Sequence, residues 1–246
     1  MKELVARIFR TVIACIGIAM PALPAGAEGV RGNEESVVAA RTLLEDAGGA
    51  AAWRKPIFEV AELGYLNSGE TAKISVVRDL SRPARRFESV RPSTTIVEWV
   101  SPEGGWVRRN GVERLMPPEE LAAELQGLRQ EPYTIYHRLA NDDPGLRVEL
   151  RDNRTLYVFD EDERLLCWFQ IAPNSVVLGW GNFYDGAINQ GWYGPSADMG
   201  DANLPRFGVQ SGGAFRFEYL SARLREGKLE PDASADAASG SAPSSP

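Results

Sequence analysis

Hydrophobic and polar positions form their clearest pattern in residues 156–171, where two apolar, aromatic-rich runs flank an acidic turn of sequence DEDER. Runs of β-branched and aromatic residues on both sides of a polar turn are typical of an antiparallel β-hairpin. We take this hairpin as the centre of a large curved sheet, to which other segments of the chain add strands.

Further strand-like segments lie on both sides of the hairpin in the chain. Asn110-Gly111 has the composition of a two-residue hairpin loop, and Gly179 and Gly181 indicate a bend or bulge in a curved strand. The pattern predicts strands over residues 56–66, 71–78, 85–90, 94–100, 106–109, 112–116, 146–150, 155–159, 165–171, 176–183 and 215–224.

Two segments have helical periodicity. Asn33 can cap a helix over residues 34–47, in which apolar residues recur at helical spacing. Pro117 and Pro118, followed by two glutamates, open a second helix that ends near residue 130. Residues 133–139 are ambiguous, and residues 184–205 are predicted to be a long loop rich in glycine and aromatic residues.

These elements show no regular alternation of strand, helix and strand, so the predicted class is α+β with one antiparallel sheet. A sheet this large tends to coil on itself, so we expect a strongly curved, incomplete β-barrel. The N-terminal helix and the mid-chain helix should cover one face. We assign residues 28–229 to this single domain, whereas residues 230–246, rich in proline, alanine, serine and aspartate, should be disordered.

The N-terminus predicts export to the periplasm. Residues 1–27 combine basic residues, an apolar run and a small-residue cleavage site, as a secretory signal peptide does. Lipid anchoring at Cys15 is disfavoured because Arg10 lies too close to it. The chain has a net charge of −7, and loss of residues 1–27 makes it more negative, which argues against a nucleic-acid partner.

Candidate catalytic residues are few. His137 is the single histidine of the chain, and the sequence contains no serine elbow, phosphate loop or metalloprotease helix. Cys167 lies within an apolar strand and is expected to be a small buried hydrophobe. The sequence therefore predicts a protein that is not an enzyme and that has no cofactor or metal.

Aromatic side chains suggest a binding role instead. In residues 155–159 and 165–171 both faces of the strand are apolar, so the sheet needs two covers. Either an apolar ligand or the segment 184–205 supplies the remaining cover. The candidate ligand-binding residues, proposed to line one face of the sheet, are Trp99, Tyr157, Phe159, Phe169, Phe215 and Phe217.

The order of features resembles the periplasmic lipoprotein-carrier superfamily, the LolA-like and LolB-like proteins. The resemblance rests on Leu43-Leu44-Glu45-Asp46-Ala47-Gly48-Gly49 followed by Trp53, on Arg82-Pro83-Ala84-Arg85-Arg86, Gly104-Gly105-Trp106 and Leu156-Tyr157-Val158-Phe159-Asp160, and on Leu204-Pro205. It implies an N-terminal helix ahead of a curved half-barrel whose cavity shelters acyl chains. Residues 184–201 are longer and more polar than a simple strand connection, so lipoprotein as the cargo does not follow from the fold.

Three functions are compatible with these patterns. The first is a monomeric envelope protein that binds or carries an apolar small molecule or acyl chain. The second is a periplasmic interaction or regulatory module for another envelope protein, suggested by the aromatic segment around Trp192 and Tyr193. The third, a hydrolase that uses His137, lacks a recognisable nucleophile.

Overall fold

The structure is a computed structural model that describes residues 29–172, 176–184, 186–210, 213 and 215–231. The helices of this part of the chain are α1 (Glu34–Asp46), α2 (Ala50–Trp53), α3 (Pro118–Gln130) and α4 (Pro132–Ala140). The strands are β1 (Ile57–Leu66), β2 (Thr71–Asp79), β3 (Ala84–Val90), β4 (Thr95–Ser101), β5 (Gly104–Arg109), β6 (Val112–Leu115), β7 (Arg147–Arg151), β8 (Thr155–Phe159), β9 (Leu165–Ile171), β10 (Val177–Tyr184), β11 (Ala187–Tyr193), β12 (Ser196–Asp198), β13 (Asn203–Pro205), β14 (Phe207–Gln210) and β15 (Phe215–Arg225).

Thirteen of these strands form one antiparallel sheet. Their order is β6-β5-β4-β3-β2-β1-β15-β14-β11-β10-β9-β8-β7, and β12 and β13 pair separately. Within the described residues, β6 and β7 do not pair with each other, so the curved sheet stays open. The α+β class and the large curved antiparallel sheet are therefore as the sequence predicts.

The first helix begins where its capping residue predicts. The Asn33 side chain accepts a hydrogen bond from the backbone N–H of Ser36 at 2.8 Å, and the helix starts at Glu34. Ser36 itself is buried, and its hydroxyl accepts the N–H of Leu150 on β7 at 2.9 Å. Leu43, in the same helix, is fully buried in the core that includes the inner residues of the sheet. The helix thus joins the sheet through both apolar and polar contacts.

A cluster of rings forms the centre of the core. Trp53 is fully buried, and its indole N–H donates to the carbonyl of Ala47 at 2.8 Å. Its ring lies 5.3 Å from Phe58 of β1 and 5.0 Å from Tyr136 of α4, measured between centroids. Tyr136 in turn stacks on Phe169 of β9. These rings join the short helix α2, helix α4 and two distant strands of the sheet.

Two segments differ from the sequence expectations. Residues 133–139, which were ambiguous, belong to helix α4, and its Pro132 stands in the first turn, where the missing N–H costs no helical bond. Residues 184–205, expected to be a loop, contain β11, β12 and β13. One glycine of this segment is a packing site, because a Cβ on Gly194, which follows β11, would lie 2.6 Å from the Phe207 ring.

The hairpin between β5 and β6 forms as its composition predicts. Asn110 and Gly111 have φ angles of 49° and 85°, the left-handed conformations that a two-residue loop of this kind requires. The Asn110 side chain also accepts the N–H of Thr95 at 2.8 Å, which ties the turn to β4.

Several expectations fall on residues outside the described ranges. The signal peptide (residues 1–27), Cys15 and almost all of the tail (residues 230–246) are among them, so they stay predictions. Among the helices described, none is long and apolar enough to cross a bilayer.

The ring cluster leads to a stability prediction. We expect Trp53→Ala to lower the free energy of unfolding by about 3–5 kcal/mol, because it leaves a cavity and removes a buried hydrogen bond. Val112→Ala, at a side chain that is 75% exposed, should change it by less than about 0.5 kcal/mol. Urea unfolding monitored by circular dichroism measures both values, and equal effects would contradict the assigned core.

Candidate functional site

A recess of about 370 Å³ opens on the concave face of the sheet. One wall comes from β1 to β4, the other from β10, β11, β14 and β15, and the junction of α3 and α4 lies between them. Strands far apart in the sheet order therefore meet across the recess. Both charged and aromatic side chains line it, including Glu62, Arg78, Arg85, Glu98, Glu124, Glu131, Tyr133, Tyr193, Phe217 and Tyr219.

Strand alternation places the charges on the inner face. Glu62 follows Phe58 and Val60 at two-residue spacing on β1, and both of these are buried in the main core. Arg78 follows Ile74 and Val76 in the same way on β2. Each strand therefore carries apolar core residues and a charged residue of the recess on the same face.

Arg78 is the central cation of the recess. The residue is only 9% exposed, and its Nε donates to Glu131 Oε2 at 2.5 Å. Its guanidinium also lies over the ring of Tyr133, 4.7 Å from the centroid. Glu131 links α3 and α4 and Tyr133 belongs to α4, so this contact attaches the helix junction to the sheet.

Arg85 of β3 is surrounded by carboxylates. Its Nη2 lies 3.1 Å from Glu98 on β4 and 3.0 Å from Glu124 on α3, and its Nη1 lies 3.9 Å from Glu131. The hydroxyl of Tyr184 donates to the other oxygen of Glu124 at 3.0 Å. The positive charge of Arg85 is therefore already balanced within the protein.

Tyrosines supply neutral polar groups. Tyr133 and Tyr219 share a hydrogen bond between their hydroxyls, which joins α4 to β15. Burial raises the pKa of Tyr133, Tyr193 and Tyr219 well above the ordinary range, so these hydroxyls stay protonated. They can donate and accept hydrogen bonds in the recess, but they carry no negative charge.

Four buried polar atoms of the lining have no hydrogen-bond partner among the described residues. They are Nη1 of Arg78, Nε of Arg85, Nε1 of Trp180 and Oδ1 of Asn182. Asn182 on β10 is 2% exposed, and its Nδ2 donates to Gln130 at 3.0 Å, so the amide is held with its oxygen unpaired. Buried polar groups are normally satisfied, and a group left unpaired in a recess is available to a bound molecule or to water.

Glu62 is the carboxyl group with the most perturbed protonation. Burial raises its pKa from an ordinary 4.5 to about 7, the nearby Arg78 charge lowers it, and Glu131 raises it again. No hydrogen bond to Glu62 occurs among the described residues, and its side chain is only partly buried. The group can therefore take up or release a proton near neutral pH.

The six candidate residues from the sequence lie on two faces of the sheet. Phe217 lines the recess, Phe215 stacks on it with centroids 6.1 Å apart, and Phe169 lies in the main core on the same face. Trp99, Tyr157 and Phe159 lie on the opposite, convex face. The expectation of one shared face is therefore corrected, and a binding role for each residue stays a prediction.

Strand pairing explains this difference. Tyr157 and Phe159 share a face, as predicted, but the regular register of β8 and β9 sets Tyr157 opposite Trp168 and Phe169 opposite Leu156, so Phe169 lies on the other face. A register shift between β1 and β15 also exchanges the faces along β15, which a sequence pattern does not reveal. Trp99 joins Trp106 in a separate convex cluster, whereas Tyr157 and Phe159 lie beneath arginines.

The charged lining of the recess is not among the residues that the sequence predicts. A signal was present, because Glu62 and Arg78 stand in phase with buried apolar residues, and a charge at a core position marks a paired or functional group. Glu98 likewise stands between Ile96 and Val100 at two-residue spacing. Glu131, from the helix junction, carries no such signal.

His137 and Cys167 lie outside the recess. His137 Nδ1 lies 2.7 Å from the carbonyl of Trp53, so the ring joins α4 to α2. Cys167 is fully buried in the core, as the sequence predicts, and burial raises its pKa above the ordinary value. Within the described ranges, no group of three or more histidine, cysteine, aspartate or glutamate residues is arranged to hold a metal ion.

Comparisons with family models and with curated proteins identify no relative. No model of a known protein family matches the chain, and no curated protein matches it significantly. The resemblance to the lipoprotein carriers therefore stays a prediction from the sequence.

The perturbed carboxyl group gives a pH prediction. Folded Glu62 binds its proton more tightly than the unfolded chain does, so its contribution to stability is lost as pH rises from about 4.5 to 7. Glu62→Gln removes this loss. The free energy of unfolding of Glu62→Gln, minus that of the native sequence, should be larger at pH 8 than at pH 4.5. We expect this increase to be about 1–3 kcal/mol after allowing for solvent in the recess. Urea unfolding at both pH values measures the difference, and a pH-independent difference would contradict the raised pKa of Glu62.

Proposed function

We propose that this protein is a non-enzymatic binding protein of the cell envelope that holds a small ligand in the concave recess of its half-barrel. One observation carries the proposal. The recess has a volume of about 370 Å³ and contains buried polar atoms, on Arg78 and Asn182, that have no partner in the described part of the chain. A concave site with a few fixed polar groups is the usual form of a small-molecule site.

The lining favours an amphipathic ligand over a wholly apolar one. Phe87, Phe217 and Leu128 offer apolar surface, whereas Arg78 and Glu62 offer charge within the same recess. A purely apolar molecule would cover these charges without replacing their water, at a cost of several kcal/mol. A ligand with an apolar body and a polar group satisfies both parts of the lining.

Carriage of lipids or acyl chains is compatible with this arrangement. An acyl chain bound at this site would contact the aromatic wall, and its head group would contact the charges. The N-terminal and mid-chain helices then serve as the covers of the half-barrel. The envelope location rests on residues 1–27, and the carrier role rests on the resemblance described above.

Blocking the recess tests the proposal. Gln210 on β14 is exposed and lines the recess, so Gln210→Trp should obstruct it and weaken ligand binding at least about tenfold. Val209→Trp places the same side chain on the convex face and should leave binding unchanged. Native mass spectrometry of protein from the periplasmic fraction, followed by solvent extraction, identifies the ligand. Clean apo masses for all three proteins would contradict the proposal.

The convex face supports a second candidate, a surface for another envelope protein. Four large apolar side chains on β10, β11 and β14 are about half exposed or more: Phe183, Ile188, Trp192 and Phe207. Phe183 pairs directly with Ile188 across the two strands, and Trp192 pairs with Val209. A continuous apolar area of this kind is typical of an interaction surface.

A charge on the convex face tests this alternative. Ile188→Glu should abolish the capture of a protein partner from envelope extracts, because it places a carboxylate in an apolar contact. Val112→Glu, at an exposed residue on the distant edge strand β6, should leave the capture intact. Affinity purification of both variants decides the question, and equal recovery of partners would contradict an interface at Ile188.

A further inference from the structure

The geometry of the recess points to the chemical class of its ligand, and this inference rests on the function proposed above. We infer that the ligand is an organic cation, a protonated amine with an apolar body, whose ammonium group pairs with Glu62. Four carboxylates and only two guanidinium groups line the recess, and Glu62 is the carboxylate for which the described residues provide no close partner.

The ion pairs of Arg78 and Arg85 leave the recess with a surplus of negative charge. Arg78 is paired with Glu131 at 2.5 Å, and Arg85 has Glu98 and Glu124 at 3.1 and 3.0 Å. Both cations are therefore neutralised by side chains on three separate elements. An added anion would have to compete with these carboxylates at short range, and it would also meet Glu62.

The surroundings of Glu62 suit an ammonium group. Arg78 faces it from β2, Tyr219 from β15, Tyr133 from α4 and Glu131 from the helix junction. Of these groups, Arg78 is the cation, and Glu131 already neutralises it. The two tyrosines stay neutral, so they add polar oxygens and aromatic faces without repelling a cation.

Of the four unpaired buried atoms of the lining, Oδ1 of Asn182 is the one acceptor and Nη1 of Arg78 is one of three donors. Oδ1 of Asn182 is an acceptor without a donor among the described residues, and an ammonium or other N–H group of the ligand can supply one. Nη1 of Arg78 is a donor without an acceptor, so it can bind a hydroxyl, ether or carbonyl oxygen of the same ligand. Tyr193, Phe217 and Trp180 provide the aromatic wall for its apolar part.

Three eight-carbon probes of equal length separate the charge classes. We expect isothermal titration calorimetry of the full chain at pH 8 to show that octylammonium binds at least about tenfold more tightly than octanoate, with 1-octanol between them. The Glu62→Gln variant should lose about tenfold or more of its affinity for octylammonium, because the ion pair is gone, and should keep its affinity for 1-octanol. Glu218→Gln, a matched change on the convex face of β15, should alter neither affinity.

The native sequence gives a second measurement that needs no variant. Octylammonium requires ionised Glu62, whose pKa is about 7, so its affinity should fall about tenfold between pH 8 and pH 6 as the carboxylate takes up a proton. The affinity for 1-octanol should stay constant over the same range. In Glu62→Gln, the pH dependence for octylammonium should disappear.

Other results of these titrations would contradict either the cation inference or the proposed small-ligand function. If octanoate binds as tightly as octylammonium or more tightly, or if Glu62→Gln leaves octylammonium binding unchanged, the cation inference is wrong and the recess remains a small-ligand site. If none of the three probes binds, both the inference and the proposed small-ligand function are wrong. Circular dichroism of each variant establishes that it is folded before its affinity is compared.

Discussion

The arrangement of the concave face depends on one buried ion pair, between Arg78 of β2 and Glu131 at the junction of α3 and α4. A guanidinium buried in a curved sheet is costly unless a carboxylate and an aromatic face compensate for its lost water. Glu131 and Tyr133 supply both, at 2.5 Å and 4.7 Å. Because both partners come from the helix junction, satisfying Arg78 also determines where the two helices meet the sheet.

This constraint divides the concave face into two parts. One part is packed by α1, α2 and α4 through the rings of Trp53, Phe58 and Tyr136. In the other part, charges and tyrosines line a recess instead of a filled core. Neighbouring residues already hold the polar groups of the recess in place. A ligand that matches them therefore loses little binding free energy in ordering these side chains. The same helix junction thus stabilises the fold and shapes the recess in which we propose that a ligand binds.

The convex face explains why several strands are apolar on both sides. The guanidinium groups of Arg147 and Arg151 lie over Phe159 and Tyr157, 4.0 and 4.8 Å from the ring centroids. Arg108 lies over Trp106 in the same way. Long cationic side chains can cover aromatic surface with their stems and planes while their charge remains in water. The second cover that these strands require is therefore partly supplied by arginines.

The sequence alone determined the antiparallel α+β class, the capped start of α1 and the turn at Asn110-Gly111, because local patterns of polarity and turn residues encode these features. It did not reveal that residues 187–193 form a strand, since this strand depends on pairing with β10 and with β14, which follows it only after β12 and β13. Only the tertiary structure decided which face of the sheet carries Trp99, Tyr157 and Phe217. It also decided that Glu62 and Glu131 line the same recess. Both depend on strand register and on contacts between residues far apart in the chain, and a one-residue shift in pairing changes them without any change in local pattern.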